Sequence, residues 1–438
     1  MRNKKLLPMI LIQLYLFITL ILFVIGPWDF KVNNMVNLIL LLFIYQVFLL
    51  YGYFIGINGI KVGRNVSFNC EKSNIKLFKK LMIFYTFVLL IEVTRSLGLT
   101  SISISQIIEK FIIGIKNPQS GYLSKLEVNN SNVFLGSIGT IIMFIASPIS
   151  YAMMPLIIYY FKQLDKKYKI LASFIICLNL TKYIATGTNK GIFDFVIIYI
   201  SYILLKYLKN KTSTINKNKI KMFTIIIVLC SILFTTFSHM IGSRAFGTYL
   251  NSGSKLASTV SIDDDSILMS LTPTILKKPV ILLSSYLCQG YYGLSLSMEV
   301  ESTPMLGFGN SIFLVDQISE KYDINKYTLQ KKVENKYGWN SRVQWFSMYS
   351  WIANDVGFIG VSLYMFLLGL FFALVYKDSI VNDNIIAKVL FSFLLIQFIF
   401  IPANNQLMLT MNSTISTIFF TILWFISKKI KVKKNQDI

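Results

Sequence analysis

An all-α, polytopic membrane protein is the fold class this sequence predicts, and three observations carry that reading. Hydrophobic residues make up 54% of the 438 positions. Mean hydropathy is +0.60. Near-chargeless apolar windows of about 18 residues or more recur along the whole chain. The formal charge of +23, from 43 Lys and Arg against 20 Asp and Glu, is unevenly spread. The cations collect in short connections between apolar windows, as in the cytoplasmic loops of membrane proteins. No stacking module or recognition helix accompanies them, so the charge argues for no nucleic acid as a partner.

Ten apolar segments set the order of spans, each near the ~20 residues a bilayer requires. They are Leu6–Ile25, Met35–Gly56, Leu81–Leu97, Leu135–Phe161, Ile170–Ala185, Ile192–Leu208, Met222–Ile241, Val356–Tyr376, Ile385–Ile401 and Leu407–Ile426. The first follows MRNKK and imitates a signal peptide. GPWDF succeeds it where a small-residue cleavage site would stand, so it reads as an uncleaved span. One connection alone is long, between Ile241 and Trp351. The expected organisation is a seven-span bundle over 1–241, a large extracytoplasmic loop over 242–355, and a three-span bundle over 356–438 with a basic cytoplasmic tail.

The orientation follows from the cations. With the N-terminus inside, each inside connection is enriched: Arg2, Lys4 and Lys5; Lys61 to Lys80; Lys162 to Lys169; Lys206 to Lys221; Lys377 and Lys388; Lys428 to Lys434. The short outside connections hold few, namely Lys31, Lys110, Lys116, Lys125 and Lys190. Both termini are therefore expected in the cytoplasm. The stretch Pro279–Met298 imitates a further span, but counting it would put the Lys-rich tail outside. It is read as an amphipathic or re-entrant helix on the outer leaflet or lining a cavity. Within Gly98–Asn132, residues Ile104, Ile107, Ile108, Phe111, Ile112 and Ile115 form one helical stripe, which predicts an interfacial helix.

Several residues could carry chemistry. His239, the single His of the chain, and Arg244 lie at the outer mouth of the seventh span. An Arg forks onto phosphate and keeps its charge; it serves equally as a headgroup anchor, and a lone His serves equally for packing. The ATGTNKGIFDF break offers an anion cradle from a restarting helix plus Lys190, with Asp194 one turn on as a partner for Lys190 and Lys182 on the same side. A tight turn whose Lys touches lipid phosphate explains it as well. Glu92 and Arg95, three apart near the end of a span, are either functional or a neutralising pair.

In the large loop, Tyr291 and Tyr292 with Glu299 and Glu301 supply the rings and carboxylates a sugar site uses: rings stack on sugar faces and a carboxylate accepts a hydroxyl proton. Arg342, Trp345 and Asp355 follow, among aromatics that would also suit an interfacial belt. Asp263, Asp264 and Asp265 imitate a metal motif but sit in a Ser-rich tract and read as a solvated turn. Of the four Cys, Cys177 and Cys230 fall in lipid, Cys70 inside and Cys288 outside in this topology; no two share an aqueous compartment, so neither a disulfide nor a zinc site is expected.

The layout, the TGTNKG break, HMIGSRAFG, and YLCQGYYGLSLSME with GFGNS ahead of DVGFIG together resemble the O-antigen (oligosaccharide repeat unit) polymerases of the Wzy type. That resemblance implies a GT-C-like, multi-pass enzyme of the bacterial inner membrane. It would perform an inverting glycosyl transfer on undecaprenyl-pyrophosphate-linked glycans, making O-antigen or capsular polysaccharide. No metal and no cofactor are implied. Membrane lipids, a chain-length regulator and a flippase are the implied partners. Carried over by position, Arg244 is the pyrophosphate contact, Lys190 a weaker one, and Arg342 and Arg95 further binding candidates beside Tyr291, Tyr292 and Trp345. Glu299, Glu301, Asp355 and His239 are the candidate bases. O-antigen ligases share the layout but place a His shortly before the span that follows the loop, where this chain has Tyr349 and Ser350. A polysaccharide flippase would carry charge through its spans, and an acyltransferase would need more than one His.

Overall fold

The computed structural model describes residues 2–60, 71–128, 133–209, 224, 228, 231, 234–240, 255–257 and 260–429. In chain order they form α1 (Arg2–Ile25), α2 (Met35–Asn58), α3 (Glu71–Ser96), α4 (Ile104–Lys116), α5 (Pro118–Leu126), α6 (Gly136–Ser150), α7 (Met153–Tyr160), α8 (Lys166–Ala185) and α9 (Lys190–Lys209). Residues 234–240 are helical. A two-stranded antiparallel ribbon follows, β1 (Lys255–Ala257) and β2 (Val260–Ser261). The remaining helices are α10 (Ile267–Leu271), α11 (Thr274–Ser297), α12 (Ile312–Ser319), α13 (Leu329–Tyr337), α14 (Met348–Val381), α15 (Ile385–Phe400) and α16 (Met411–Lys429).

The described residues are thus mostly helical with almost no strand. Among them, five helices are long and apolar enough to cross a membrane: α1, α2, α8, α9 and α14. A sixth arises if α6 and the segment Met153–Gln163, bent by 41° at their junction, are one span. Leu135–Phe161, expected as one span, is therefore two helices that meet at a bend, and Pro148 sits inside the first of them. The expected span Met222–Ile241 lies largely outside the described residues.

Two compact units emerge, each drawn from separated stretches of chain. Unit one takes Met1–Lys61, Ala245–Val375 and Leu394–Thr414. Its helices α2 and α14 approach backbone to backbone. A Cβ at Gly52 would stand 1.9 Å from the Phe366 carbonyl oxygen, and one at Gly369 would stand 2.1 Å from that of Leu49. This is small-residue packing of the kind membrane helices use where apolar burial gives no drive.

Inside unit one the Pro279–Met298 stretch departs from the amphipathic expectation. Helix α11 packs on α1, and its side chains from Gln289 to Ser297 are all buried. Its serines satisfy themselves. Ser284, Ser285, Ser295 and Ser297 each donate to a carbonyl three or four residues back on the same helix. Such back-bonding lets hydroxyls sit in a dry interior.

Unit two takes Val62–Arg244, Tyr376–Phe393 and Ile415–Ile438. Its α4 starts at Ser103, whose side chain accepts from the Gln106 amide. Ile107 and Gly114 of α4 are buried, and α4 packs on α8. Ile104, Ile108, Ile112 and Ile115 stay exposed, in keeping with the stripe expected for an interfacial helix. Asp378, fully buried, accepts from Asn384 and Trp424 and forms an ion pair with Lys428.

Candidate functional site

In unit one, the C-terminal end of α11 meets α13, which is capped by Thr328 accepting from the Lys331 amide and ended by Gly338 at φ +69°. Two sequence candidates lie at this junction. Glu299 accepts from the Tyr337 hydroxyl at 2.6 Å, and Lys336 donates to its carbonyl oxygen at 3.0 Å. At Glu301 only the backbone is engaged: Lys332 donates to its carbonyl oxygen at 2.9 Å. The exposed Glu301 carboxylate makes no hydrogen bond among the described residues and is the group there most open to a proton.

Asp355 is differently placed. It is buried, and it accepts from the Gly309 amide at 2.7 Å, the Asn310 amide at 3.0 Å and the Asn310 side-chain amide at 2.5 Å. Its neighbour Asn354 accepts from the Leu329 amide and donates to the Gly309 carbonyl. The pair clamps the Gly307–Asn310 turn onto the start of α14. With three donors on its oxygens, Asp355 is committed to geometry.

Arg342 is exposed, with Asp316 at 3.6 Å. An exposed pair at that distance contributes little, which leaves the guanidinium open to another anion. Burial pushes the Asp316 carboxyl up; Arg342 opposes that and Glu320 adds to it. Trp345 lies against Tyr286 at 5.6 Å, and its amide donates to Gln289.

The two tyrosines belong to the core. The Tyr291 hydroxyl meets Thr19 at 3.0 Å and its ring meets Phe23. Tyr292 is sandwiched between Phe30 at 5.3 Å and Trp339 at 5.0 Å. Neither ring offers a free face for a sugar.

In unit two, the expected Glu92–Arg95 neutralisation gives way to a different pairing. Glu92 takes Lys182 of α8 at 2.9 Å. Arg95 turns to the Phe134 and Gly136 carbonyls and to Thr140. Gly139 makes the room, since a Cβ there would stand 2.6 Å from the guanidinium.

The TGTNKG break is a tight turn. Gly187 sits at φ +55°, and a Cβ on it would stand 2.0 Å from the Pro118 carbonyl oxygen. Lys190 pairs with Asp194 at 2.6 Å, as the spacing suggested, and the Tyr151 hydroxyl donates to the same oxygen. Both lysines are therefore matched by carboxylates. His239 is exposed, with its Nε2 3.0 Å from the Ile115 carbonyl oxygen; a carbonyl accepts only, so Nε2 is the donor. Arg244 lies outside the described residues.

Sequence reasoning missed the polar interior of unit one. Gln13 donates to Gln46, which donates to the Tyr349 hydroxyl. The IPANNQ break between α15 and α16 is buried. There the Met348 amide donates to the Ile401 carbonyl and the Leu407 amide to Gln397. Ser347 Oγ, Ser350 Oγ, Gln397 Nε2 and Asn404 Oδ1 are buried without a hydrogen-bond partner among the described residues, which asks for an explanation in any native fold. The available signal was amides inside otherwise apolar runs. No family model, no curated protein and no solved structure matches the chain.

Proposed function

We propose that this chain is a membrane glycosyltransferase that joins lipid-linked oligosaccharide repeat units, as the Wzy-type polymerases do. The observation that carries the reading is the exposed, uncommitted Glu301 carboxylate in the same unit as the exposed Arg342. This unit holds a folded body, residues 260–347, inserted into a chain of membrane-type helices. On this reading the chain has about ten spans, both termini are cytoplasmic, and that body faces away from the cytosol in a GT-C-like arrangement.

The acceptor hydroxyl attacks the donor's anomeric carbon with inversion. The new bond joins that oxygen to the carbon, the bond from carbon to pyrophosphate oxygen breaks, and the hydroxyl proton passes to Glu301. Arg342 meets the charge of the departing polyprenyl pyrophosphate, the main electrostatic task of such a transfer. Lys190 and Arg95 are engaged by Asp194 and by carbonyls, which favours Arg342. Glu299 stands as a second base.

Deleting the gene and resolving the surface glycan on a gel tests the reading. Single repeat units without a ladder support a polymerase. Long chains stranded on the carrier lipid would identify a ligase, and depletion of both would identify a flippase. Glu301→Gln and Arg342→Ala should each erase the ladder at unchanged protein level; an intact ladder from Glu301→Gln would remove it as the base.

A further inference from the structure

Leu306 and Phe308 project from unit one at the tip of a turn, 84% and 53% exposed. Leu306 sits at φ +53° and Gly307 at +107°. A bulky L-residue in the left-handed region is strained and persists only where its surroundings over-determine it. They do so here. The Met305 amide donates to the Asn354 carbonyl and the Phe308 amide to that of Met305. Asn354 and Asp355 hold Gly309 and Asn310, Asn405 donates to the Asn310 carbonyl, and Ser311 donates to that of Met408. The fold thus fixes a strained backbone whose outward product is two large apolar side chains.

The place of the clamp indicates what those side chains meet. Asn354 and Asp355 lie at the point on α14 where its exposed apolar stripe begins. That stripe runs Val356, Ile359, Leu363 and Leu367, with Ile359 89% exposed, and α14 is long and apolar enough to span. Asp355 and Ile359 lie four residues apart across a break in α14 at Gly357, φ +67°, so at most about 14 Å of chain separates them. Interfacial side chains bury over about 5–10 Å at the headgroup boundary. We propose that the Leu306–Phe308 tip inserts into the acyl-chain boundary of the bilayer and anchors the 260–347 body to the membrane surface at this end of α14. The inference rests on the spanning helices and is independent of the reaction proposed above.

The test uses the full chain in phospholipid nanodiscs, its four Cys replaced by Ser and one nitroxide placed through Phe308→Cys, Asp264→Cys or Leu363→Cys. Oxygen concentrates in hydrocarbon, and a neutral nickel chelate stays in water. The oxygen-to-nickel collision ratio at 308 should lie several-fold above that at the exposed acidic turn of 264 and approach that at 363 on the α14 stripe. A ratio equal to that at 264 would place the tip in water and overturn the proposal. Shielding from both reagents would mean that a second copy or another protein covers the tip, and would overturn it too. Should the Cys-free chain not fold, Phe308→Trp in the natural background gives the same reading. Its fluorescence, less that of the wild type, should be quenched by brominated acyl chains, and an unquenched increment would refute insertion.

Discussion

Asp355→Asn isolates what the carboxylate does. One oxygen takes the Gly309 amide, and the other takes the Asn310 amide and side chain. An amide at 355 has a single acceptor oxygen. Facing it to Gly309 sets an NH2 against two donors of Asn310; flipping it abandons Gly309. At least one charge-assisted bond is lost in either arrangement, at about 1.5–3 kcal/mol. At tenfold per 1.4 kcal/mol, the open population of the turn rises roughly 10- to 150-fold. The cost is local, because the freed amides can reach water when the turn lifts. Hydrogen exchange of the detergent-solubilised protein, followed on a peptide covering 305–311, should therefore speed up at Gly309 and Asn310 by that factor while α9 is unchanged. Unaltered exchange at both amides would refute the clamp and return Asp355 to the list of groups free to act on substrate.

Three further perturbations test other parts of the structure. Lys182→Met should destabilise by about 1.5–3 kcal/mol, because the half-buried Glu92 loses a charge-assisted hydrogen bond, while Glu92→Gln combined with Lys182→Met should recover most of it; thermal denaturation that finds the two losses additive would refute the pairing. Gly290→Ala sets a Cβ 2.0 Å from the Pro402 carbonyl oxygen and 2.9 Å from the Ser347 amide, a clash with backbone beyond the ~1–3 kcal/mol of ordinary overpacking. It should abolish the monodisperse peak in size-exclusion chromatography. At Asp383, desolvation raises the carboxyl, but hydrogen bonds and charge from Lys209 and Lys388 outweigh it and hold the group below its usual value. A carboxyl lowered in the fold adds stability above its unfolded pKa and loses it as pH falls through the folded one. Asp383→Asn should therefore lower the melting temperature at neutral pH and lose that effect as pH falls through the lowered folded-state pKa, and an effect that grew on acidification would reverse the sign.

The helices were legible because membrane-spanning segments announce themselves by length and hydropathy. α1, α2, α8, α9 and α14 coincide with expected spans to within several residues, apart from the long extensions of α14. Pairing was legible only where it was local. Lys190 and Asp194, four apart on one helix, meet as their spacing implies. Glu92 and Arg95, three apart, do not, since Lys182 arrives from another helix and nearby carbonyls claim the guanidinium. One-dimensional spacing can state that two groups are able to touch; it cannot list the competitors that tertiary packing brings.

The burial of α11 has a more general cause. A polar stripe on a helix marks a wet face only where its hydroxyls need water. Serines that donate to their own helix need none, and small side chains permit close approach on every side. Gly290 and Gly293 show the gain, lying where the carbonyls of Pro402 and Trp345 come within 2.0 and 2.7 Å of where a Cβ would be. Ser, Gly, Cys and Gln alternating with aromatics are therefore the composition of a helix buried on all sides in a membrane protein. The same composition explains why Tyr291 and Tyr292 pack while the carboxylates following the helix, Glu299 and Glu301, reach the surface. The chemistry left available to unit one lies where α11 ends, because that is where burial ends.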